Sequence, residues 1–397
     1  MVACLVAAAG VVGNAASPSV EPSLSTDVSA ANFVAHRIDT GLSGGYQVVV
    51  ADLNRDGKPD VVALASGLNE LRWYENPGWG KHVIVANVSG LINAAAYDID
   101  SDGIPEIALA YGFSNVYGES RGIVSVLTHQ GDPRGPWAIR EIDRTPTSHR
   151  LRFVDIDGTG RKVLVNFPLI GPHAVLPDYR DHVPLLMYRP GAWTRELITD
   201  EEEGVVHGIA PTQWDNGSRE SLLCASFLGV SLLQFDAGQW KRTSLATGDP
   251  TDWPKGGSSD VIAGHLDGER FFAAIEPWHG NQVAVYRQRH GAWTRHVIDS
   301  TIADGHTIVA GDFDDDGRDE LVVGERQGRH SVYVYRAQTL SDDVWSKQAL
   351  DDGDMAGAGC AVADMNGDHR LDVVCIGTAT ANLKWYENRS RTGAPAR

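Results

Sequence analysis

One phrase recurs along this chain and constrains its fold more than any other feature: a short apolar strand, an aspartate-rich turn and a second apolar strand. The first turn positions of five clear and two degenerate copies are Asp52, Asp98, Asp155, Thr212, His265, Asp312 and Asp364. The six intervals from Asp52 to Asp364 average 52 residues. Familiar propeller repeats run roughly 40–50 residues. The spacing therefore predicts a ring of four-stranded blades.

Each copy continues with alternating aromatic and β-branched residues, a period typical of β-strands. A third strand has the sequence LRWYEN, VAVYR, VYVYR or LKWYEN, and a fourth often begins with Trp, as in WTRELI and WTRHVI. The last copy has only three such strands, whereas an unpaired fourth-strand pattern, FVAHRID, stands before the first copy at Phe33–Asp39. We therefore expect this N-terminal strand to complete the last blade, which closes the ring and removes open sheet edges.

These patterns predict an all-β fold, a seven-bladed β-propeller of four-stranded antiparallel blades over residues 33–390. Residues 1–32 are predicted to be a signal-like or disordered segment, and residues 391–397 a polar tail. The chain starts with an apolar run followed by small residues, which is typical of a secretory signal, although a positively charged start is missing. We expect a secreted protein without a membrane span, since no later stretch approaches about 18 uninterrupted apolar residues.

Charge and cysteine spacing limit the partners. The formal net charge is −18, which argues against nucleic acid as a partner. Cys224, Cys360 and Cys375 form no CxxC pair, which argues against a cysteine zinc site. Cys360 and Cys375 fall on neighbouring predicted strands and could pair, but two separate buried thiols are the favoured interpretation. We expect a monomer.

The four best turns follow the pattern D-x-[DN]-x-D-x-x-x-[DE]. Alternate positions of a tight loop turn their oxygens inward, and an all-oxygen ligand set selects Ca²⁺. The alternative is an Asx-turn that never binds metal. Four copies in register favour several structural calcium sites. The predicted ligands are Asp52, Asn54, Asp56, Asp60, Asp98, Asp100, Asp102, Glu106, Asp312, Asp314, Asp316, Glu320, Asp364, Asn366, Asp368 and Asp372.

Histidines recur at a second set of equivalent positions. The aspartate turn joins the first and second strands of a blade, so the start of the first strand lies on the opposite face, around the channel mouth, with the loop between the second and third strands. Residues five or six positions before the turn are Tyr46, His149, His207 and His306. A cluster drawn from several blades favours a functional site, whereas separate surface or core histidines are the alternative.

Histidine transfers protons near neutral pH, and arginine neutralises a carboxylate or an enolate. Together they suit proton abstraction beside a carbonyl group, followed by β-elimination. The predicted catalytic residues are His149, His207, His279, His306, Arg326 and Tyr46. The predicted substrate-binding residues are His173, Trp278, Asn281, His330 and Arg150. Neighbouring histidines could also hold Zn²⁺ or another divalent metal.

The aspartate turns and their strands resemble the FG-GAP or VCBS repeats of integrin α-subunit propellers and of many secreted bacterial proteins. The phrases IEPWHGNQVAVY, DGHTIVAGDFDDDGRDELVVG and VADMNGDHRLDVVCIGTATANLKWYEN resemble the propeller domain of aldos-2-ulose dehydratase. The design is also similar to propeller lyases that release rhamnose from glucuronate. This resemblance implies a lyase that uses His149, His207, His279, His306 and Arg326. Because the chain ends after the propeller, we expect no further β domain, and the dehydratase's own substrate is not implied.

We therefore expect a calcium-stabilised propeller that acts as a carbon–oxygen lyase on a uronate or keto-sugar. The alternative is a non-catalytic calcium propeller that binds glycans or proteins, with Trp278 and other aromatic residues stacking on sugar rings. Imidazoles within about 4–8 Å of one another would favour the enzyme. Dispersed or singly buried histidines would weaken that hypothesis.

Overall fold

The computed structural model describes residues 32–215, 217–339 and 343–390. The predicted polar tail lies outside the described residues, as does the predicted signal-like segment apart from Asn32. The described chain forms 28 β-strands and one short 3₁₀ helix, Tyr117–Glu119. None of its helices is long and apolar enough to cross a membrane.

The strands form seven separate antiparallel sheets of four strands each, which confirms the predicted seven-bladed propeller. The strands of blade one are β2 (Gly45–Ala51), β3 (Asp60–Ala65), β4 (Glu70–Glu75) and β5 (Gly80–Ala86). Blade two has β6 (Asn93–Tyr97), β7 (Glu106–Tyr111), β8 (Ile123–Thr128) and β9 (Ala138–Arg144). Blade three has β10 (Ser148–Val154), β11 (Val163–Pro168), β12 (His182–Tyr188) and β13 (Arg195–Glu203).

The next three blades repeat the same order. Blade four has β14 (Val206–Thr212), β15 (Ser221–Ser226), β16 (Gly229–Asp236) and β17 (Gln239–Ala246). Blade five has β18 (Asp260–Leu266), β19 (Glu269–Glu276), β20 (Gln282–Arg289) and β21 (Ala292–Asp299). Blade six has β22 (Gly305–Gly311), β23 (Glu320–Glu325), β24 (Val332–Thr339) and β25 (Val344–Asp351).

Blade seven joins the two ends of the propeller. Its inner strands are β26 (Gly357–Ala363), β27 (Asp372–Gly377) and β28 (Asn382–Asn388), and β1 (Phe33–Thr40) is its outer strand. β1 pairs antiparallel with β28 from Phe33, opposite Asn388, to Thr40, opposite Asn382. The predicted closure by an N-terminal strand is confirmed, and it covers the edge that β28 would otherwise expose.

Apolar clusters between neighbouring blades form the core. Seven clusters each span one interface between consecutive blades, including the interface between blades seven and one. The second strands are almost continuously apolar because both of their faces are covered; every residue of Val163–Pro168 and Ser221–Ser226 is buried. Burying one large aliphatic or aromatic side chain stabilises the fold by about 1.5–3 kcal/mol, so these interfaces stabilise the ring of blades.

Two cysteines of blade seven are joined. Cys360 on β26 lies directly opposite Cys375 on β27, and a disulfide connects them. The sequence-based preference for two separate thiols was therefore wrong; direct cross-strand pairing brings the two Cα atoms to 4.2 Å, close enough for a bridge. Cys224 is buried and unpaired.

Candidate functional site

Small irregularities at the start of the inner strands aim side chains at the channel mouth. The pairing register of β2, β10, β14 and β22 with the second strand skips one residue near the start of each inner strand. The residues skipped are Tyr46, His149, His207 and His306. A β-bulge places an extra residue outside the ladder and redirects its side chain. The four equivalent positions found in the sequence are thus four bulges with a common orientation.

The bulged histidines converge with one histidine from a loop. His279 lies in the loop between β19 and β20, and its ring centroid is 4.9 Å from that of His207 and 5.2 Å from that of His306. The rings of His207 and His306 are 5.0 Å apart, and those of His149 and His207 are 4.9 Å apart. Four blades thus contribute one compact histidine cluster, defined here as His149, His207, His279 and His306.

Tyr46 and Arg150 complete one side of the cluster. The Tyr46 hydroxyl lies 2.7 Å from Nε2 of His149. The Arg150 guanidinium donates to the Tyr46 oxygen at 3.2 Å, and it lies 3.3 Å from Nε2 of His149 and 3.4 Å from Nε2 of His207. Because Arg150 can only donate, His149 Nε2 accepts, and the Tyr46 hydroxyl donates its proton to the same nitrogen.

An arginine–aspartate pair borders the cluster at His279. Nε2 of His279 lies 3.2 Å from Nε2 of His207, and Nδ1 of His279 lies 3.0 Å from the Arg326 guanidinium. Asp304 accepts two hydrogen bonds from Arg326, at 2.8 and 3.2 Å, and its Oδ1 atom is 3.5 Å from Nδ1 of His279. Asp304 therefore neutralises Arg326 and faces His279 at once.

Backbone carbonyls fix the orientation of two histidines. Nδ1 of His207 lies 3.1 Å from the carbonyl oxygen of Ser259, and Nδ1 of His306 lies 2.5 Å from that of Ala358. A carbonyl oxygen only accepts, so both Nδ1 atoms carry the proton and both Nε2 atoms present a lone pair. Nε2 of His306 is buried and has no hydrogen-bond partner among the described residues.

Burial and positive charge keep the cluster neutral. His149, His207 and His306 are each at most 2 % exposed, whereas the side chain of His279 is 29 % exposed. Burial, reinforced by Arg150, holds the pKa of His149 and of His207 well below the ordinary value. Burial and the Arg326 charge do the same to the pKa of His306 and lower that of His279 to about 3.

The remaining predicted residues lie around the cluster at different distances. The Trp278 ring is 4.7 Å from that of His279, and its indole nitrogen is buried without a hydrogen-bond partner in the described chain. Asn281 is exposed and donates to the carbonyl oxygen of Ser300. His173 is exposed beside a separate surface pocket lined by Val175 and other residues. His330 lies at the end of the Arg326 loop, and no hydrogen bond joins its side chain to the cluster within the described ranges.

Sequence reasoning missed three contributors. Asp304 lies two residues before His306, so its closeness in the sequence to a predicted catalytic residue indicates that it belongs to the site. Ser259 and Ala358 stand six residues before His265 and Asp364, which is the histidine position of their blades. Both residues contribute a backbone carbonyl oxygen, which every residue type has, so their identity does not reveal the role. The register of the repeat does predict that they lie at the channel mouth.

Farther along the inner strands, residues of the channel line a cavity of about 400 Å³. It is lined by residues that follow the mouth positions on the inner strands, such as Gln47, Phe153 and Thr307, together with Arg152 and Asp260. The histidine cluster lies at the mouth end of this channel. Burial raises the pKa of Asp260 to about 6, although Arg150 and Arg152 act in the opposite direction.

The aspartate turns lie at the other end of the inner strands. In the second turn, carboxylate oxygens of Asp98, Asp100 and Glu106 come within 4.8 Å of one another, and in the sixth turn those of Asp312, Asp314 and Asp316 do so. Backbone N–H groups hold the first carboxylate in place, since Asp98 accepts from Asp102 and Gly103. In the sixth turn, the Asp312 carboxylate likewise accepts from the backbone N–H groups of Asp316 and Gly317.

Two carboxylate oxygens in these turns are buried and unsatisfied. Oε1 of Glu106 and Oδ1 of Asp314 have no hydrogen-bond partner in the part of the chain that the structure describes. Burial raises the pKa of Glu106 and of Asp314, and it raises that of Glu320 to about 8. A hard cation such as Ca²⁺ would stabilise the negative charge on these buried, unsatisfied carboxylate oxygens. In the sixth turn Arg336 supplies part of that charge, 3.2 Å from Glu320 and 3.3 Å from Asp314.

The first and seventh turns have a different last position. Asp60 accepts backbone hydrogen bonds from Leu53 and Asn76, and Asp372 accepts them from Met365 and Asn388. Burial raises the pKa of both carboxyls to about 6. Their third positions are amides: the oxygens of Asn54 and Asn366 each accept an N–H of the same turn. The remaining predicted ligands of these turns are Asp52, Asp56, Asp364 and Asp368.

Comparisons with known proteins agree with this architecture. Residues 121–290 match the family model "Aldos-2-ulose dehydratase, beta-propeller domain". Residues 52–109 and 312–375 match the FG-GAP-like repeat. The chain is 28 % identical over 259 residues to aldos-2-ulose dehydratase of Phanerodontia chrysosporium; the alignment covers 57 % of this chain and 28 % of the relative.

A solved structure described as the Dos1 propeller has a similar fold. Its TM-score is 0.52 at 11 % sequence identity, and the match covers 87 % of this chain and 79 % of that one. At this identity the likeness concerns the fold alone. The chain spans only about a quarter of the length of its curated relative, so that relative's whole activity is not transferred by the match.

Proposed function

We propose that this protein is a carbohydrate-active carbon–oxygen lyase that performs β-elimination on a uronate- or keto-sugar substrate. The observation that carries the proposal is the contact between Tyr46, His149 and Arg150 at the channel mouth, where a proton acceptor and a cation meet. The likeness of residues 121–290 to the propeller domain of a sugar dehydratase supports a carbohydrate-related role.

The proton transfers follow from the hydrogen bonds. The Tyr46 oxygen takes the acidic proton next to the substrate's carbonyl or carboxylate carbon, while its own proton moves to Nε2 of His149. The electron pair of the broken C–H bond forms a C=C bond, and the C–O bond at the β carbon breaks. His149 returns its proton through Tyr46 to the leaving oxygen. One proton moves from carbon to oxygen, so no oxidant or further reactant is required.

Cationic side chains stabilise the charge that develops. Arg150 contacts the Tyr46 oxygen, and Arg326, 18 % exposed, faces the mouth beside His279. A guanidinium in a partly buried site stabilises an enolate or a carboxylate more strongly than it would in water. The low pKa of His149 keeps the imidazole neutral in mildly acidic solution, so its Nε2 lone pair is present; it also makes the ring a weak base, so the negative charge that develops on the substrate must stabilise the protonated ring. We infer an anionic or enolisable sugar as the substrate.

A second candidate function is non-catalytic binding of a glycan or protein. It is favoured by the burial of His149, His207 and His306, which limits direct contact with a large substrate. In that case His279, Trp278 and Arg326 at the mouth would make the contacts. Binding without any product would identify this function.

The four best aspartate turns are proposed to bind structural Ca²⁺. The unsatisfied oxygens of Glu106 and Asp314, and the clustered carboxylates around them, support the assignment. A bound cation would offset the repulsion between like charges in each turn.

Export is proposed as well, and the disulfide between Cys360 and Cys375 supports it because such bonds persist in oxidising compartments.

Product analysis tests the proposed function. Purified protein is mixed with rhamnose-capped and other uronic-acid glycans and with keto-sugars, and products are followed by mass spectrometry and by absorbance near 235 nm, where a conjugated uronate is expected to absorb. A lyase yields an unsaturated sugar. Elimination from a uronic-acid glycan also releases a second sugar, whereas elimination from a keto-sugar releases one water. Calorimetric binding of a glycan with no product after prolonged incubation would instead establish the second candidate.

A further inference from the structure

We propose that a groove between blades four and five binds an acidic glycan, at a second site on the aspartate-turn face of the propeller. The groove has a volume of about 740 Å³, larger than the channel cavity. Ligand pockets typically have volumes of about 300–1,000 Å³. His207 lies near the start of β14 and Trp214, which lines the groove, follows the end of that strand. The groove is therefore about 20 Å from the histidine cluster.

A tryptophan stands in place of a cation ligand in the fourth turn. Trp214 comes two residues after Thr212, at the turn position where the four best copies have an aspartate or an asparagine. Calcium takes oxygen ligands, so an indole at this position cannot coordinate it. Thr212 also replaces the aspartate of the first turn position. This degenerate copy therefore lacks the calcium ligands and instead carries an aromatic ring at the edge of the groove.

Two indole rings form an aromatic platform in the groove. The ring centroids of Trp214 and Trp293 are 5.7 Å apart, and both side chains are half-buried. Trp293 packs edge-on against Phe272 with the ring centroids 4.8 Å apart, which fixes its position. The apolar C–H face of a sugar ring packs well on a rigid aromatic surface of this kind. The two indoles thus provide the apolar contact that a sugar ring requires.

An arginine without a carboxylate partner lies on this platform. The guanidinium carbon of Arg270 is 4.8 Å from the centroid of the Trp214 ring, within the range of a cation–π contact. Its Nη2 atom donates to the carbonyl oxygen of Gln213 at 2.9 Å, whereas its buried Nε atom has no hydrogen-bond partner in the described chain. A carboxylate is the best partner for a guanidinium, because two oxygens match two parallel N–H groups. The ligand of this site should therefore carry a carboxylate.

The other charges in the groove also favour an acidic ligand. Lys241 is exposed on β17, and no ion pair joins it to a carboxylate within the described ranges. Among the lining residues that the structure describes, Glu269 is the only acid, and Arg287 partly neutralises it at 3.4 Å. The whole chain has a formal net charge of −18, so a groove with two unpaired cations is a local exception. Such a groove attracts anions.

Neutral polar side chains complete the groove. Lys241 and Thr243 alternate along β17 and therefore point to the same side of the blade. Gln288 lines the groove from blade five, and the amide of Gln234 donates to Asp215 at 2.9 Å. Hydroxyl and amide groups bind the neutral hydroxyls of a sugar, while the cations bind its carboxylates. This combination fits a uronic-acid glycan, and the site does not rest on the proposed lyase function.

Calorimetric titration with defined oligosaccharides tests the groove. The full chain with Tyr46→Phe is used, so that a lyase would not consume the ligand, and it is titrated with hexamers of galacturonic, glucuronic and mannuronic acid. We expect at least one uronate hexamer to bind, and to bind more weakly after its carboxylates have been reduced to alcohols. About 1 M salt, where the Debye length is about 3 Å, should also weaken binding. Equal binding of charged and reduced hexamers, binding of a sulfated hexasaccharide alone, or no binding at all overturns the proposal.

Variants of the groove locate the sugar. Arg270→Met keeps an aliphatic chain over the indole but removes the charge, and it should weaken binding by about 10-fold or more. Trp214→Ala should weaken it by about 5-fold or more. Lys241→Gln changes an exposed side chain, so it should fold normally and weaken binding by about 2- to 5-fold. Arg140→Gln, which removes an exposed arginine from β9, is the matched control and should bind like the parent protein.

His279→Ala separates the groove from the channel mouth. If both sites bind the hexamer, the titration shows two events, of which Arg270→Met weakens one and His279→Ala the other. Loss of all binding in His279→Ala, together with full binding in Arg270→Met, would place the sugar at the mouth and overturn the groove site. Because no product is measured, failure of the lyase hypothesis would not change this outcome.

Discussion

Asp304 holds Arg326 by two hydrogen bonds at the channel mouth, and the same guanidinium lies 3.0 Å from Nδ1 of His279. Asp304 makes no hydrogen bond to Tyr46 or His149 in the described chain and bonds Arg326 instead, so it acts by positioning Arg326. Asp304→Ala should raise KM about 10-fold with a smaller change in kcat, because a mobile arginine binds an anionic sugar less well but the proton-transfer pair stays intact. Asp304→Glu should restore part of the affinity. Equal losses in kcat and kcat/KM with unchanged KM would contradict this role.

Calcium should stabilise the propeller through the second aspartate turn. Glu106→Gln removes the charge of a buried carboxylate whose Oε1 atom is unsatisfied. At a calcium concentration about 100-fold above Kd, one site contributes about 2.7 kcal/mol. EGTA should therefore lower the Tm of the wild type by several degrees, and by less in Glu106→Gln. Asp157→Asn in the incomplete third turn is the matched control. A wild-type Tm that does not respond to EGTA would contradict calcium binding.

Stability should depend on pH through Asp260. Burial raises its pKa from 3.8 to about 6, so the folded state holds this proton more tightly than the unfolded chain does. The resulting stabilisation is present below about pH 4 and is lost as the pH rises through 6; its size is about 2–3 kcal/mol. The pKa of Asp60 and of Asp372 is also raised to about 6, so these two carboxyls add to the decline in the same range. Asp260→Asn should therefore reduce the decline between pH 4 and 7 in denaturant melts without abolishing it. Asp252→Asn, on an exposed loop, should keep it, and a decline of equal size in both variants would contradict the assignment.

The disulfide of blade seven should be worth a measurable share of stability. Cys360 and Cys375 are 15 positions apart, and closing a loop of that size in the unfolded chain corresponds to about 3 kcal/mol. The double variant Cys360→Ala/Cys375→Ala should melt several degrees below the wild type, and a reductant should lower the Tm of the wild type alone. If the reductant left the wild-type melt unchanged while thiol titration showed full reduction, the bridge would have no stabilising role.

The repeat made most of the architecture predictable. Each aspartate turn lies within a few residues of the strands it joins, so local sequence determines it, and a fixed spacing then places equivalent positions in equivalent sites. The same reasoning put Tyr46, His149, His207 and His306 on one face, and the structure brings them together. Ring closure followed because Phe33–Asp39 had a fourth-strand pattern with no blade of its own.

What escaped prediction depends on neighbouring blades. The carbonyl oxygens that orient His207 and His306 come from the next blade, and every residue type has a carbonyl. The near-complete burial of His149 depends in part on a loop of the preceding blade, from which the Phe113 ring packs with its centroid 5.5 Å from that of His149. The pairing of Cys360 with Cys375 depends on strand register to a single residue, which the sequence does not define.

The most direct test of the lyase hypothesis concerns the Tyr46–His149 hydrogen bond. The initial rate of absorbance increase near 235 nm is measured on the best glycan for the wild type, Tyr46→Phe and the control Tyr97→Phe, whose hydroxyl bonds Gly160 at the opposite face. Loss of a general acid–base group lowers rates by about 10²–10⁴-fold. We predict a loss of at least about 100-fold in Tyr46→Phe with an unchanged Tm, and a wild-type rate in Tyr97→Phe. A full rate in folded Tyr46→Phe would contradict the mechanism.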